Sequence, residues 1–360
     1  MNKLLALARP EIVSLQPYQH AAWRPTLERL HANEMPWPPI SEYGGDDSSA
    51  GLNRYPEPQP KALVDRLASL YSVRREQVLV GRGSDEAIDL LIRAFCRAGQ
   101  DQILVCPPTY SMYKVTANIQ GASVVEVPLQ SGFALDRKSV VAAWRDGVKL
   151  IFLCSPNNPT GNLLDAKEIR ALCTDLDGKA LIVVDEAYIE FARAESLTKW
   201  LDRYPNLVVL RTLSKAYALA GARCGTVLAH PDIIGLLARI IQPYSMPSPT
   251  VDVAMKFTSP SAVTELRKRV DIVHRERERL VAELSKSPLI RRIFASEANF
   301  LLLDCNDADR VLNAAIEVGL IIRDQRSQKA LPSGVRISVG TPEQNSRLIG
   351  ALTQRAGAAA

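Results

Sequence analysis

The chain has 360 residues, of which 47% are hydrophobic and 23% charged, and its formal net charge is +5. This composition is typical of a folded globular protein and excludes the disordered and fibrous classes, while the length suffices for one large domain and a smaller one. Lysine and arginine are scattered among nearly as many acidic residues, without basic blocks interleaved with aromatics, so we do not expect nucleic-acid binding.

From about residue 60, strand-like and helix-like segments alternate, which predicts a largely parallel sheet covered by helices. After the first strand, the run G-R-G-S-D-E opens a helix whose apolar residues fall on one face. About seven strands are predicted, over residues 77–80, 102–106, 123–127, 149–154, 180–184, 207–210 and 225–229. A proline-rich hinge at 242–249 closes this region.

A second, smaller unit follows a long charged helix around residues 274–280, whose alternating charges indicate a solvated face. Its predicted elements are strand 299–304, helix 308–318, strands 320–323 and 335–339, and a final helix from Pro342. We therefore predict three parts: an irregular arm over 1–40 that packs on the small domain, a large domain over 41–245 and a small α+β domain over 246–360.

The cysteines and the apolar runs bear on the compartment. Six cysteines lie far apart, without a C-x-x-C pair and without histidines at metal-ligand spacing, so we interpret them as reduced thiols of a cytoplasmic protein and expect no metal site. No apolar run approaches the ~20 residues that span a bilayer, and the first ten residues lack a signal-peptide core. We expect neither a membrane span nor a targeting segment.

Polar residues collect where three predicted strands end. Strand 149–154 runs into S-P-N-N-P-T-G, strand 180–184 into D-E-A-Y, and strand 207–210 into R-T-L-S-K-A-Y-A-L-A-G-A-R. Each fragment alone also fits an ordinary turn or a capped strand end. Because ligands of open α/β sheets bind outside the carboxyl ends of the strands, we expect the fragments to share one site. A lysine among hydroxyls, with an arginine eight residues on, suits a ligand that carries an aldehyde and a phosphate.

The order and spacing of these fragments resemble the fold-type I pyridoxal 5′-phosphate (PLP) enzymes, the aspartate aminotransferase superfamily. The resemblance implies an α/β fold with a large domain on a mostly parallel seven-stranded sheet and a smaller α+β domain. It also implies that Lys215 holds PLP and moves a proton, that Asp185 pairs with the ring nitrogen, and that Asn157 and Tyr188 donate to the ring oxygen. The other cofactor contacts that it implies are Ser84, Asp85, Tyr110, Thr212, Ser214 and Arg223.

Within that superfamily the chain is most similar to the histidinol-phosphate aminotransferases of histidine biosynthesis. The similarity includes L-N-R-Y-P-E-P-Q-P at 52–60, C-P-P-T-Y-S-M-Y at 106–113 and I-I-R-D-Q at 321–325. It implies a homodimer that transfers an amino group between L-histidinol phosphate and 2-oxoglutarate, giving imidazole-acetol phosphate and L-glutamate. The substrate contacts that it implies are Tyr18, Asn33, Arg323 and Arg336, and Tyr55 would reach the cofactor phosphate of the partner subunit.

Two positions depart from the relatives: Met35 in the arm, and Thr226 where an aromatic residue often follows R-C-G. Both bear on the shape of the substrate pocket. On the same scaffold, threonine-phosphate decarboxylase and aromatic amino-acid aminotransferase are the alternative activities. A non-catalytic module that senses PLP is a further alternative, against which the intact Lys215, Asp185 and Tyr188 argue.

Overall fold

The computed structural model describes residues 3–18, 29–37 and 51–353. Its larger sheet has the strand order β1-β7-β6-β5-β4-β2-β3. These strands are β1 (Val78–Gly81), β2 (Gln102–Val105), β3 (Ser123–Glu126), β4 (Val148–Cys154), β5 (Leu181–Asp185), β6 (Leu207–Thr212) and β7 (Gly225–Ala229). Strand β7 runs antiparallel to β1 and β6, and the remaining pairs are parallel. The predicted seven strands and mostly parallel sheet are confirmed.

Helices cover both faces of this sheet, which explains why its central strands are continuous apolar runs. Within β4, Leu150 and Phe152 enter one buried core while Ile151 and Leu153 enter the other. The helices of this part are α1 (Lys3–Leu7), α2 (Pro10–Val13), α3 (Lys61–Tyr71), α4 (Ser84–Phe95), α5 (Met112–Gln120), α6 (Arg137–Ala143), α7 (Ala166–Asp175), α8 (Pro231–Ile240) and α9 (Ser248–Phe257).

The small domain is an antiparallel four-stranded sheet with its own apolar core. Its elements are α10 (Pro260–Leu284), β8 (Ile290–Ile293), β9 (Phe300–Cys305), α11 (Ala308–Glu317), β10 (Arg323–Asp324), β11 (Gly334–Ser338) and α12 (Pro342–Thr353), with the strand order β10-β11-β9-β8. The predicted α+β character is confirmed. Strand β8 was not predicted, and β10 overlaps the predicted strand 320–323 only at Arg323.

The N-terminal arm differs from the prediction. Where the structure describes it, the arm contains α1 and α2 instead of irregular chain, and Leu4 and Leu7 are buried in the core of the large domain. Arg9 donates to the carbonyl of Arg93 at 3.0 Å, near the end of α4. The prediction that the arm packs on the small domain is therefore wrong for residues 3–13, because α8 of the large domain covers the apolar faces of α1 and α2.

The boundary between the domains also lies later than predicted. Met246 and Ala254 are fully buried in the core of the large domain. Helix α9 packs on α3, so the large domain continues through α9, beyond residue 245. None of the helices in the described ranges combines the length and the apolar character that a membrane crossing requires.

Candidate active site

A cavity of about 430 Å³ lies at the carboxyl ends of β4, β5 and β6, with β10 and β11 of the small domain on its other side. The structure brings most of the predicted site residues into its wall. These are Ser84, Asp85, Tyr110, Asp185, Tyr188, Thr212, Ser214, Lys215, Arg223, Arg323 and Arg336. Residues separated by up to 250 positions thus meet at the sheet edge where parallel strands place their ligands.

Asp185 is the last residue of β5 and is 3% exposed. Its Oδ2 accepts a hydrogen bond from the Tyr113 hydroxyl at 2.9 Å, and its Oδ1 accepts one from the Ala187 amide at 3.1 Å. Burial raises the pKa of Asp185 to about 6, although these donors and the charge of Lys215 act in the opposite direction. No basic side chain in the described ranges forms an ion pair with the carboxyl, so it is suited to a cationic group entering the cavity.

Lys215 follows a turn that redirects the chain after β6. The Thr212 hydroxyl accepts from the Ser214 amide at 3.1 Å and donates to the Ser214 hydroxyl at 3.0 Å, which holds this turn closed. The ammonium group of Lys215 lies 5.8 Å from the centre of the Tyr188 ring. The lysine amine, the tyrosine hydroxyl and the Asp185 carboxyl therefore line one cavity.

Another part of the cavity wall, at the start of α4, offers hydrogen-bond donors. Helix α4 begins at Ser84 after Gly83, whose φ of 88° is a conformation that favours glycine. A Cβ atom at Gly225 would lie 2.7 Å from the Ser84 nitrogen, so only glycine permits β7 to approach the start of α4. Arg223 reaches Asp85 at 3.2 Å across this part of the wall. Helix-start amides and a guanidinium together form a cup for an anion.

The comparisons with known proteins identify the family. Residues 30–352 match the model of aminotransferase class I and II. The chain belongs to this family. Histidinol-phosphate aminotransferase of Cronobacter sakazakii is 44% identical over 98% of both chains, and that of Escherichia coli is 44% identical over 96% of both.

Solved structures agree with this assignment at the level of the fold. Histidinol-phosphate aminotransferase of Clostridium acetobutylicum aligns with a TM-score of 0.77 at 23% identity, over 84% of this chain and 91% of that chain. Histidinol-phosphate aminotransferase of Sinorhizobium meliloti, in complex with pyridoxal-5′-phosphate, aligns with a TM-score of 0.75 at 26% identity, over 84% of this chain and 82% of that chain. The aminotransferase class I and II family is PLP-dependent.

The cavity of this aminotransferase fits PLP at three of the cofactor's polar groups. A buried carboxyl without a basic partner suits the ring nitrogen, a lysine amine suits the aldehyde, and the cup at the start of α4 suits the phosphate. When bound, PLP supplies an electron sink for negative charge that develops on the substrate. Tyr110 lines the cavity and donates to Asp85 at 3.1 Å, which fixes its ring at the wall.

Asn157 does not line the cavity, contrary to the prediction. Its Nδ2 donates to the Pro108 carbonyl at 2.8 Å and to Thr160 at 2.7 Å, so its amide holds two loops together. The neighbouring Asn158 lines the cavity instead, where it donates to the Tyr188 hydroxyl at 3.3 Å and accepts from Arg336 at 2.5 Å. The prediction named the first asparagine of S-P-N-N-P-T-G, whereas the loop conformation puts the second in the cavity wall.

Besides Asn157, three predicted residues lie outside this cavity. Tyr18 is exposed, whereas Asn33 and Tyr55 line a second cavity of about 360 Å³. The Tyr55 ring stacks on Tyr244 with 4.6 Å between ring centres. Their contacts with substrate and cofactor remain predictions.

The two departures noted in the sequence also lie away from the main cavity. Met35 is exposed, and its carbonyl accepts from Asn53 at 2.9 Å. Thr226 is buried within β7. Neither residue lines the cavity, so neither changes its wall directly.

Proposed function

We propose that this aminotransferase transfers the amino group between L-histidinol phosphate and 2-oxoglutarate, giving imidazole-acetol phosphate and L-glutamate in histidine biosynthesis. The observation that carries the proposal is the 44% identity to histidinol-phosphate aminotransferases over nearly the full length of both chains. The cavity supports it, because Arg323 and Arg336 are neighbours across β10 and β11 and both line its wall. Both substrates are anions, and a guanidinium fork can hold either a phosphate or a carboxylate.

The residues of the cavity have separate tasks in this reaction. Lys215 would hold the cofactor and then carry a proton between the substrate Cα and the cofactor, as general base and acid. Asp185 would keep a proton on the ring nitrogen. Tyr188 and Asn158 would donate to the ring oxygen, Tyr110 would stack on the ring, and the cup with Ser84, Asp85, Thr212, Ser214 and Arg223 would hold the phosphate.

The test is to follow the two half-reactions with the purified, PLP-loaded protein. Adding L-histidinol phosphate should convert the visible absorption band of the loaded enzyme to that of the aminated cofactor. Adding 2-oxoglutarate should restore the first band with an equal amount of glutamate. A band that histidinol phosphate leaves unchanged would refute the proposed substrate, and release of CO2 from threonine phosphate would favour the decarboxylase.

We predict that Arg336→Gln weakens substrate binding far more than cofactor binding. Arg336 is half-buried, contacts Asn158, and lies 5.3 Å from the centre of the Phe300 ring. Burial lowers its pKa but leaves it charged at neutral pH, so its loss should raise the KM of both anionic substrates by about 10- to 100-fold. Arg291→Gln, on the exposed part of β8, is the matched control. A parallel loss of PLP affinity would make Arg336 a cofactor or structural residue instead.

We also propose that the protein is a homodimer in which Tyr55 contacts the cofactor phosphate of the partner subunit, and that Asn33 contacts the substrate. Tyr55 is half-exposed and lies outside the cavity of its own chain. Its amide donates to Glu34 at 2.7 Å and its carbonyl accepts from Arg29 at 3.3 Å, so its backbone is held while its side chain faces outward. Tyr18 would contact the substrate, as the sequence predicts.

Mixing two impaired variants tests this arrangement. Tyr55→Ala should weaken PLP binding by about 10- to 100-fold, as expected for a lost hydrogen bond to a charged group, and Lys215→Ala should lower turnover by at least about 10²-fold. In a mixed dimer, one site would combine an intact Lys215 with an intact partner Tyr55, so activity should return after subunit exchange. If Tyr55 served its own chain, or if sedimentation showed a monomer, no activity would return.

We also propose that the enzyme is cytoplasmic. Cys96, Cys154 and the four other cysteines are all unpaired and buried. Such thiols are typical of proteins in a reducing compartment.

A further inference from the structure

Tyr113 lies behind the wall of the cavity and was not among the predicted site residues. It is fully buried, its ring stacks on Phe152 with 4.8 Å between centres, and it meets Tyr110 edge to face at 5.5 Å. Its hydroxyl is the only polar atom of the side chain and lies 2.9 Å from Oδ2 of Asp185. Aromatic packing on two sides therefore fixes this hydroxyl against the carboxyl.

The direction of this hydrogen bond is set by the charges around it. Burial and the neighbouring Asp185 raise the pKa of Tyr113 far above its ordinary value, so the hydroxyl keeps its proton and donates it. The Ala187 amide donates to the other carboxyl oxygen. Each oxygen of Asp185 thus has one protein donor, and the carboxyl still faces the cavity.

We propose that Tyr113 is a positioning residue for the Asp185 carboxyl, which pairs with the ring nitrogen of PLP. The hydrogen bond from Tyr113 keeps this carboxyl a weaker base than the ring nitrogen. A hydrogen bond donated to an ionised carboxyl stabilises the ionised form and lowers its affinity for a proton. Without that donor, a carboxyl in so dry a position would draw the shared proton away from the nitrogen. The chain would then lose the protonated ring on which the electron sink depends.

The other groups that face Asp185 do not replace this donor. Lys215, after β6, favours the ionised carboxyl, whereas Asp85, on α4, opposes it. Three further groups stay neutral, because burial raises the pKa of each: the Cys154 thiol at the end of β4 and the hydroxyls of Tyr110 and Tyr188. Among the described side chains, Tyr113 alone donates a hydrogen bond to this carboxyl.

The test is Tyr113→Phe, which keeps the ring between Tyr110 and Phe152 and removes only the hydroxyl. The holoenzyme would be reconstituted with PLP labelled with ¹⁵N in the ring, and the ¹⁵N chemical shift recorded against pH. In the parent the nitrogen should stay protonated, and in the variant the shift should move towards that of a neutral pyridine. We expect kcat to fall by about 10- to 100-fold, the loss typical of a hydrogen bond to a charged group, with little change in KM.

A second substitution and a control make the result decisive. Incorporating 3-fluorotyrosine at position 113 supplies a stronger donor in nearly the same volume, so the nitrogen should stay protonated to a higher pH than in the parent. Tyr204→Phe, which removes a hydroxyl beside Trp200 and away from the cavity, should change neither readout. An unchanged ¹⁵N titration in both variants at position 113 would overturn the inference.

The inference rests on the proposed function for its kcat readout only. Should histidinol phosphate prove not to be the substrate, the ¹⁵N titration would still report on Tyr113. An unchanged titration beside intact transamination of histidinol phosphate would overturn the role of Tyr113 and leave the proposed function standing.

Discussion

Replacing Lys215 by alanine is expected to lower turnover by about 10²- to 10⁴-fold, the contribution typical of a general acid–base group placed at the reacting atoms. Lys215 is the single lysine among the described residues that line the cavity, so no neighbouring amine can take its place. The loss should appear in both half-reactions, because the same amine would move the proton in each direction. Stopped-flow absorbance with each substrate measures it.

Two further measurements separate a missing amine from a damaged fold. A small primary amine added to the Lys215→Ala protein should restore part of the rate in proportion to its concentration and basicity. Lys286→Ala, which removes an exposed lysine paired with Glu283 at 2.8 Å, should leave the rate unchanged. Turnover at the parent level in Lys215→Ala would contradict both the catalytic role of Lys215 and its assignment as the lysine that holds PLP in this cavity.

The large sheet could be predicted because its strands are apolar on both faces. Strand β4 is buried along nearly its whole length, and from Leu150 its sequence is an unbroken apolar run that is followed by polar residues. Strand β8, by contrast, reads I-R-R-I, with two exposed arginines at the edge of the small sheet, and no alternation marks it. Helices α1 and α2 have five and four residues, too few to show a helical period, and they are stabilised by packing on α8.

The site residues that belong to local sequence motifs could be predicted. Those whose place at the site depends on contacts with residues distant in the sequence could not. Lys215 and Asp185 each follow a strand, so their place at the sheet edge can be deduced from the chain alone. The prediction of Asn157 missed Asn158, which lies in the cavity wall and accepts a hydrogen bond from Arg336, 178 residues away in the sequence. Tyr113 acts on Asp185 across 72 residues. Its sequence signal is its place three residues after Tyr110, at the end of C-P-P-T-Y-S-M-Y.

Asp185→Asn is expected to lower activity while stabilising the cofactor-free chain. The amide has the size of the carboxyl, its oxygen can still accept from the Ala187 amide, and its NH2 group can donate to the Tyr113 hydroxyl oxygen, so the cavity should keep its shape. It cannot hold a proton on the ring nitrogen, and we expect turnover to fall by about 10²- to 10³-fold, as when a fixed electrostatic partner is removed from a reacting centre. Single-turnover kinetics with histidinol phosphate measure this loss.

The stability effect follows from the pKa of Asp185, which burial raises from 3.8 to about 6. The folded chain therefore holds this proton more tightly than the unfolded chain, and stability falls as the pH rises from about 4 to about 6. Above that range the ionised carboxyl costs the cofactor-free fold about 3 kcal/mol, from 1.36 kcal/mol for each pKa unit. Asparagine removes this cost at pH 8, whereas at pH 4 the two proteins should differ little.

Urea unfolding of the cofactor-free proteins at pH 4 and pH 8 measures the difference, and Asp101 supplies the matched control. Asp101 is also 3% exposed, but its contacts with Arg97 at 2.9 Å and 2.8 Å lower its pKa. Its ionised form stabilises the fold above the unfolded pKa, so Asp101→Asn should destabilise the chain at pH 8. If Asp185→Asn is stabilised and Asp101→Asn destabilised, the cofactor-free fold carries a buried carboxylate without an ion-pair partner, and the ring nitrogen of PLP would supply that partner. Destabilisation of both at pH 8 would mean that Asp185 is already satisfied by its own chain.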